Sequence, residues 1–197
     1  MFTFQTITQA EPYLVQTLSS PRFLNSARDF SGSSSFVAPY PPEQERAARQ
    51  VATALVADLA VRGVGARTLD VFRLVVEILD EQGFWEPLVQ LEPTMEPAAL
   101  RDLLMDTVDI DGTLVPRIAA AAREPGTQVL VVCGIGACYP FLRAHRLLAS
   151  LDAPVPVLVM FPGAHHRRPD GSSTLDVLDT PAGTGASHYR ARNIFEF

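Results

Sequence analysis

The apolar positions of this chain alternate between two patterns from residue 35 onward. Short runs rich in apolar residues, which are typical of strands, occupy residues 35–40, 68–72, 128–133 and 155–161. The last two runs are almost continuously apolar, as in strands that are buried on both faces of a parallel sheet. The runs therefore predict four strands of a buried sheet, and two late strands are expected at 175–178 and 189–197.

Between these runs, apolar residues recur every three or four positions, which is the spacing of an amphipathic helix. This spacing predicts helices at 41–63, from the end of the second strand to about residue 80, and at 97–106, 113–123 and 139–151. A shorter periodic stretch around Ile7, Leu14 and Leu18 predicts a helix near the N-terminus, followed by a loop over 20–35. Residues 164–174 are polar and predict a second loop.

Strands that alternate with helices indicate βαβ units and a mostly parallel sheet. We therefore expect an α/β protein: a three-layer domain whose four- or five-stranded, mostly parallel sheet is flanked by helices. In this interpretation residues 1–34 form an N-terminal helix and loop, and residues 35–197 form a single α/β domain. Binding sites in such sheets lie at the carboxyl ends of the strands. These ends are predicted near Tyr40, Asp70, Gly134 and Phe161.

The composition excludes several classes of function. All sixteen basic residues are arginine, so no mechanism that needs a lysine, such as a Walker A phosphate site or a Schiff base, is available. The net charge of −6 argues against a broad nucleic-acid surface, which needs clustered positive charge. No apolar run approaches the ~20 residues of a membrane span, and the N-terminus lacks the features of a signal peptide. We therefore expect a cytoplasmic protein.

The glycine turn after the third predicted strand resembles part of a phosphate-binding loop. Gly134 and Gly136 allow a sharp turn, but Tyr139 stands where a dinucleotide fingerprint has its third glycine. The turn could still bind an anion at the N-terminus of the following helix, with Arg143 and His145 as candidate contacts. The alternative is a tight turn beside a structural arginine, and the sequence leaves both open.

The segment DIDGTL at 109–114 resembles the phosphatase signature of the haloacid dehalogenase family. In that family the residues matching Asp109 and Asp111 are the nucleophile and the acid/base. The family's signature follows a buried strand and is supported by a downstream lysine, whereas here the preceding residues have helical periodicity and no lysine exists. We therefore interpret the segment as a turn between two helices, in which Asp111 or Thr113 caps the second helix.

Histidines near the C-terminus offer a candidate metal site. The residues that could contribute to it are His165, His166, Asp170, Asp176 and His188. Adjacent histidines on a loop tend to point apart, and no pair is spaced four residues apart on a helix as in zinc hydrolases. The pattern therefore favours a solvated basic loop.

The cysteines offer a candidate nucleophile. Cys138 and His145 are seven residues apart, and two helical turns would separate them by ~10 Å, which is too far for a hydrogen-bonded pair. Cys133 ends a predicted buried strand. Both cysteines are therefore expected to be reduced core residues.

Several segments, in a fixed order, resemble the BrxB family of BREX bacteriophage-exclusion systems. That family carries an apolar strand, a glycine turn, a Tyr-Pro-Phe-[Leu/Ile]-Arg-[Ser/Ala]-His segment, a leucine-rich helix, a strand closing in Phe-Pro-Gly, and a Tyr-Arg-Ala segment. The matching segments here are GIG at 134–136, YPFLRAH at 139–145, FPG at 161–163 and YRA at 189–191. Upstream, SPRFL at 20–24 and YPPE at 40–43 extend the resemblance.

The chain departs from the family pattern at two places. Ala164, His165 and His166 stand where the family usually has an acidic residue and an aromatic one, and Arg192 stands where another aromatic residue is usual. These changes affect any function that depends on the two loops and leave the fold expectation intact.

The resemblance implies a small, non-enzymatic component of a phage-defence system that binds other proteins of the system, above all the alkaline-phosphatase-like PglZ protein. We expect no cofactor, no metal site and no membrane association. The candidate residues for binding a partner or an anion are Gly134, Gly136, Tyr139, Arg143, His145, Tyr189 and Arg190. The alternative is a nucleotide- or anion-binding module, or a degenerate enzyme, that uses the glycine turn.

Overall fold

The computed structural model of the chain describes residues 4–27, 34–167, 173–176 and 191–197. Its helices are α1 (Ile7–Leu18), α2 (Pro21–Leu24), α3 (Glu45–Val61), α4 (Val71–Glu81), α5 (Trp85–Leu91), α6 (Pro97–Thr107), α7 (Val115–Arg123) and α8 (Ala144–Ser150). Its strands are β1 (Ser35–Tyr40), β2 (Ala66–Asp70), β3 (Val129–Cys133), β4 (Val157–Pro162), β5 (Ala164–Arg167), β6 (Ser173–Asp176) and β7 (Ala191–Asn193). None of these helices combines the length and apolar content needed to cross a membrane.

Five of the strands form one sheet in the spatial order β2-β3-β4-β1-β7, and every pairing in it is parallel. The chain begins inside the sheet at β1, crosses through α3 to the edge strand β2, and returns through β3 and β4 to the side of β1. Helices pack on both faces of the sheet. The predicted fold class, a three-layer α/β domain with a four- or five-stranded parallel sheet, is therefore confirmed.

The sheet separates two apolar cores, because successive residues of a strand point to opposite faces. Phe36 and Tyr40 of β1 pack with side chains of α1 and α3. Val37 lies between them in sequence and packs with side chains of α4, α7 and α8. All three are buried, and burying a large apolar side chain contributes about 1.5–3 kcal/mol. The two cores hold the strand ends, and hence any site there, in a fixed position.

The N-terminal helices lie on the same face of the sheet as α3. A capping box closes the first turn of α1, and the backbone N–H of Ile7 donates to the side-chain oxygen of Gln44 at 2.8 Å. The loop predicted over 20–35 is wrong in its first part, because the Ser20 hydroxyl accepts a backbone hydrogen bond from the first turn and begins α2. Residues 28–33 of that loop lie outside the described residues.

The strand predicted at 68–72 lies two residues earlier, as β2. Asp70 Oδ1 accepts a hydrogen bond from the backbone N–H of Arg73 at 3.2 Å, so Asp70 is the N-cap of α4. Val71 consequently begins a helix although its side chain would also suit a strand. The helix α5 was not predicted, because none of its residues is fully buried and it lacks a clear apolar stripe.

The helix predicted at 139–151 begins five residues later, as α8. A single 3-10 turn, Gly136–Cys138, precedes it, and the Tyr139–Pro140 peptide bond is cis. A residue that precedes proline disfavours the α conformation, which explains why no helix begins at Tyr139. Arg143 therefore lies immediately before α8 and not one turn inside it.

The polar loop predicted at 164–174 is wrong at both ends, because β5 and β6 pair there as antiparallel strands. The late strand predicted at 175–178 begins earlier, as β6, and is described as far as Asp176. The strand predicted at 189–197 is shorter than expected, because β7 is followed by a 3-10 turn at Ile194–Glu196. Residues 168–172 and 177–190 lie outside the described part of the chain.

Candidate functional site

Four polar side chains meet at the carboxyl edge of the sheet, where the parallel strands end. The Tyr40 hydroxyl, at the end of β1, donates a hydrogen bond to Glu45 Oε2 at 2.5 Å. Arg49 donates to Glu45 Oε1 at 3.2 Å. Arg49 also donates to Asp70 Oδ2, at the end of β2, at 2.8 Å. We refer to Tyr40, Glu45, Arg49 and Asp70 as the carboxyl-edge network.

The local backbone explains how these four side chains meet. The chain leaves β1 through Pro41 and Pro42 and enters α3 at Glu45. Glu45 and Arg49 are four residues apart on α3, so their side chains lie on the same face of the helix. Asp70 is fixed from the other side, because it also caps α4. The network therefore links β1 to β2, although β4 and β3 lie between them in the sheet.

Burial controls the ionisation of the network. The Tyr40 side chain is 1% exposed, and burial, reinforced by the negative charge of Glu45, raises the pKa of Tyr40 far above its usual value. Its hydroxyl consequently stays protonated and remains a donor to Glu45. The Arg49 guanidinium, about one third exposed, forms ion pairs with both carboxylates. Each of the four groups thus forms at least one hydrogen bond within the network.

The network also explains the two glycines of the turn. Gly134 has φ = +78°, and a Cβ at this position would overlap Asp70 Oδ1. A Cβ at Gly136 would lie 2.5 Å from Glu45 Oε2 and 2.9 Å from a ring carbon of Pro162. Both glycines therefore make room for carboxylates of the protein itself. Anion binding at this turn stays a prediction, and an anion there would have to approach two negatively charged side chains.

The two cysteines lie in the core on either side of this turn. Cys133 and Cys138 are buried, and the Cys138 thiol donates to the Gly134 carbonyl oxygen at 3.5 Å. Burial, with a smaller contribution from the charge of Asp70, raises the pKa of each thiol to about 12. Since the thiolate is the nucleophilic form, both cysteines are unreactive core residues near neutral pH.

Three of the predicted binding residues lie around the start of α8. The Arg143 guanidinium stacks on the Tyr139 ring, 5.5 Å from its centroid, and both side chains are exposed. His145 is half-buried, and burial followed by the nearby charges of Arg143 and Arg146 lowers its pKa. Tyr139 and Arg143 therefore form a surface pair, whereas the surroundings of His145 favour its neutral form. The other two candidates, Tyr189 and Arg190, lie outside the described residues.

The aspartates at 109–114 have structural contacts. Asp109 Oδ1 accepts a hydrogen bond from the backbone N–H of Gly112 at 2.9 Å and begins a short π-helical turn. The prediction that Asp111 or Thr113 caps the next helix is wrong, since Asp109 occupies the capping position and Asp111 turns away.

Asp111 instead joins this turn to α8. Its two carboxylate oxygens accept hydrogen bonds from Arg146 and from the Ser150 hydroxyl, each at 2.9 Å. These hydrogen bonds hold the pKa of Asp111 below its usual value. Asp111 therefore contributes to the packing of two helical segments, away from the carboxyl-edge network.

The candidate metal residues cannot be placed as a site. His165 and His166 belong to β5, while Asp170 and His188 lie outside the described residues. Among the residues whose side chains are described, no group of three histidine, cysteine or acidic side chains could hold a metal ion. The prediction of a solvated basic loop is therefore wrong over residues 164–167, which form β5 and pair with β6.

The sequence did not reveal the roles of Glu45 and Arg49. Tyr40 and Asp70 were predicted as strand ends, whereas Glu45 and Arg49 lay within the helix predicted at 41–63. The available signal was an oppositely charged pair four residues apart, directly after a strand end. That signal alone predicts an ordinary pair on a helix surface, because the third partner, Asp70, comes from a distant part of the chain.

Comparison with known proteins identifies the family. A family model described as BREX protein BrxB matches residues 67–194. A BREX protein BrxB from Escherichia coli O9:H4 (strain HS) is 24% identical over 129 residues, which cover 62% of this chain and 59% of the relative. A BREX protein BrxB from Bacillus cereus (strain H3081.97) is 26% identical over 106 residues, which cover 50% of this chain and 54% of the relative. No solved structure matches this chain.

The matched region extends along the chain from β2 to β7 and contains the glycine turn and α8. It contains Asp70 but not the other three members of the carboxyl-edge network. The chain matches less than two thirds of the length of each of these curated relatives. Because the family model covers more than half of the chain, the chain belongs to the BrxB family of BREX proteins.

Proposed function

We propose that this chain is a non-enzymatic component of a BREX phage-defence system, which acts in the cytoplasm by binding other proteins of the system, above all a PglZ-like protein. The family match over residues 67–194 carries this proposal, since the matched relatives are named as BREX proteins. The binding role and the choice of partner go beyond that match. Both come from what the resemblance to the BrxB family implies.

The contacts at the carboxyl edge support a non-enzymatic role. In a parallel α/β sheet this edge is the usual place for a ligand. Here the Tyr40 hydroxyl and the Arg49 guanidinium donate to the carboxylates of Glu45 and Asp70. A general acid or base must reach a substrate proton, whereas these groups are engaged with one another.

Co-purification tests the proposed partnership. The chain and the PglZ-like protein encoded in the same genome are purified separately, mixed at micromolar concentrations and separated by gel filtration. We expect the two proteins to elute together and earlier than either one alone. Separate elution at these concentrations would contradict the choice of partner, and capture of a different BREX protein would replace it.

The competing hypothesis is an anion-binding module at Gly134 and Gly136. The observation that favours it is the exposed Arg143 guanidinium just after the turn. Titration calorimetry with phosphate, ATP and NAD distinguishes the two hypotheses. The proposed function predicts no binding heat, whereas saturable binding that disappears in Arg143→Ala, with the fold retained, would support the module.

A further inference from the structure

Residues 80–107 differ from the rest of the described structure in how they pack. This segment contains the end of α4 together with α5 and α6, and none of the residues of α5 or α6 is fully buried. Trp85, Leu88 and Leu104 attach it to the core, where each is partly buried. We refer to residues 80–107 as the acidic helical segment.

The segment carries the whole net charge of the chain. It contains seven acidic residues and one arginine, which gives −6, and the remaining residues contain equal numbers of acidic and basic side chains. Glu81 pairs with Arg117, and Asp102 pairs with Arg101. The carboxylates of Glu86, Glu92, Glu96 and Asp106 form no ion pair with any described residue. Among the described residues, these four carboxylates thus have no paired counter-charge.

Exposed apolar side chains are concentrated in the same segment. Seven large apolar side chains are exposed in the described part of the chain, and five of them are Phe84, Val89, Leu91, Leu103 and Met105. Phe84, Leu91 and Met105 are each about half exposed. Single exposed apolar residues are common, but five of them within 28 residues of the chain favour an interaction site. They share the segment with carboxylates that have no described ion pair. A molecule that binds them would therefore need both apolar and basic side chains.

We propose that the acidic helical segment is a docking surface for a protein partner that presents an apolar patch surrounded by arginine or lysine side chains. The inference rests on the proposed function, because it assigns to the partner-binding role a location on the molecule. Charge selects this occupant: a second copy that docked through the same segment would bring a like charge, and nucleic acid or an anionic membrane would be repelled. Apolar contact provides affinity and the carboxylates provide orientation.

Two variants with equal net charge provide the test. The segment variant combines Glu86→Arg, Glu92→Arg and Glu96→Arg, and the control variant combines Glu43→Arg, Asp58→Arg and Asp152→Arg. All six side chains are exposed and form no ion pair with described residues, and each triple changes the net charge from −6 to 0. A third variant, Phe84→Ser with Leu91→Ser, removes apolar contact and leaves the charge unchanged. Circular dichroism establishes that each variant retains the fold.

Affinity for the other proteins of the host BREX system is the first measurement. If the wild-type chain captures a partner, we expect the segment variant and the apolar variant to bind it at least about tenfold more weakly. The control variant should bind within about twofold of the wild type, because its three substitutions lie outside residues 80–107. Binding by the segment variant at wild-type strength would overturn the inference and leave the proposed function standing.

A probe peptide makes the inference testable even where the wild-type chain captures no BREX protein. The probe is a synthetic amphipathic helix with arginine on one face and leucine on the other. If the segment and apolar variants bind the peptide about tenfold more weakly than the wild type, and the control variant does not, the docking surface is supported. The proposed function would still fail in this case, because no BREX protein was captured. If the segment and control variants bind the peptide equally weakly, net charge alone determines binding. That result would overturn the inference.

Sedimentation velocity addresses the second-copy occupant. We expect the wild-type chain to sediment as a monomer at micromolar concentration. A wild-type dimer that the segment variant dissociates would overturn the inference, because the surface would then be covered by another copy of the chain.

Discussion

The carboxyl-edge network and the acidic helical segment differ in whether their charged side chains are paired with one another. In the network, Tyr40, Glu45, Arg49 and Asp70 are partly or fully buried and satisfy one another. In the segment, at least four carboxylates and several apolar side chains face solvent without a described partner. We therefore expect the first arrangement to stabilise the fold and the second to contact another molecule.

The comparison shows why a familiar motif is a poor guide to the binding surface here. The glycine turn resembles a phosphate loop, yet Gly134 and Gly136 accommodate Asp70 and Glu45. The acidic helical segment matches no motif, and its charge becomes visible only when it is counted against the rest of the chain. Substitutions in the network should therefore change stability, and substitutions in the segment should change binding.

Gly134→Ala should have the largest effect on stability. Its positive φ costs an alanine about 1–2 kcal/mol, and the new Cβ displaces Asp70, whose capping of α4 is worth about 1 kcal/mol. We expect a loss of about 3 kcal/mol in the free energy of unfolding, measured by urea denaturation.

Gly83→Ala is the matched control for that change. Gly83 has a similar φ of +73°, but nothing lies within 4 Å of its Cβ position. The free energy of unfolding of Gly83→Ala should therefore fall only by the backbone cost of about 1–2 kcal/mol. Equal losses in the two variants would mean that the approach of Asp70 contributes nothing at Gly134.

Tyr40→Phe should have an intermediate effect. It removes a buried hydroxyl that donates to the Glu45 carboxylate. A hydrogen bond to a charged group contributes about 1.5–3 kcal/mol. Because Glu45 is partly exposed and retains Arg49, we expect a loss of about 1.5 kcal/mol in urea denaturation.

Tyr13→Phe is the comparison variant for Tyr40→Phe. The Tyr13 hydroxyl donates to the neutral carbonyl oxygen of Ile194 at 3.2 Å, and such a bond contributes about 0.5 kcal/mol at this length. A smaller loss for Tyr40→Phe than for Tyr13→Phe would show that the carboxyl-edge network is not a source of stability.

The sheet could be predicted from the sequence because burial on both faces requires a distinctive composition. β1, β3 and β4 consist mainly of apolar residues, and all three strands lie close to where they were predicted. The start of α8 was predicted too early, because apolar spacing continues through Pro140, where the backbone does not form a helix. β5 was missed because its polar residues show no strand pattern.

The candidate site could be predicted only in part, for a different physical reason. Tyr40 and Asp70 were identified as strand ends, because strand ends follow from the apolar runs. Their connection through Glu45 and Arg49 depends on α3 crossing the sheet to bring residues 49 and 70 within hydrogen-bonding distance. Spacing along the chain carries no information about such a contact, and the same holds for the exposure of the acidic helical segment.

His145 should give a small, pH-dependent effect. Burial, followed by the charges of Arg143 and Arg146, lowers its pKa in the folded chain below the usual value of 6.5. The folded state therefore favours neutral His145, so this contribution is present above pH 6.5 and is lost as the pH falls through the lowered pKa. We therefore expect the chain to lose some stability through this group as the pH falls below 6.5.

His145→Gln separates this contribution from the other titrating groups. The measurement compares urea denaturation of the two proteins between about pH 7.5 and 5.5, where most carboxylates remain ionised. The wild-type chain should lose stability more steeply than His145→Gln as the pH falls. Parallel curves would exclude His145 as a source of pH dependence.

The smallest change in stability is expected in the acidic helical segment. The triple variant Glu86→Arg, Glu92→Arg and Glu96→Arg should unfold within about 0.5 kcal/mol of the wild type, because exposed side chains without partners contribute little to the folded state. Asp70→Ala, a single change in the carboxyl-edge network, should cost about 2 kcal/mol by removing both a helix cap and a partner of Arg49. If three reversals in the segment cost as much as this one truncation, the segment's carboxylates are part of the folding energetics, and the distinction between the two regions is lost. If the triple variant folds like the wild type but no longer binds its partner, then charge in this molecule is divided between one region that holds the fold and another that recognises a protein.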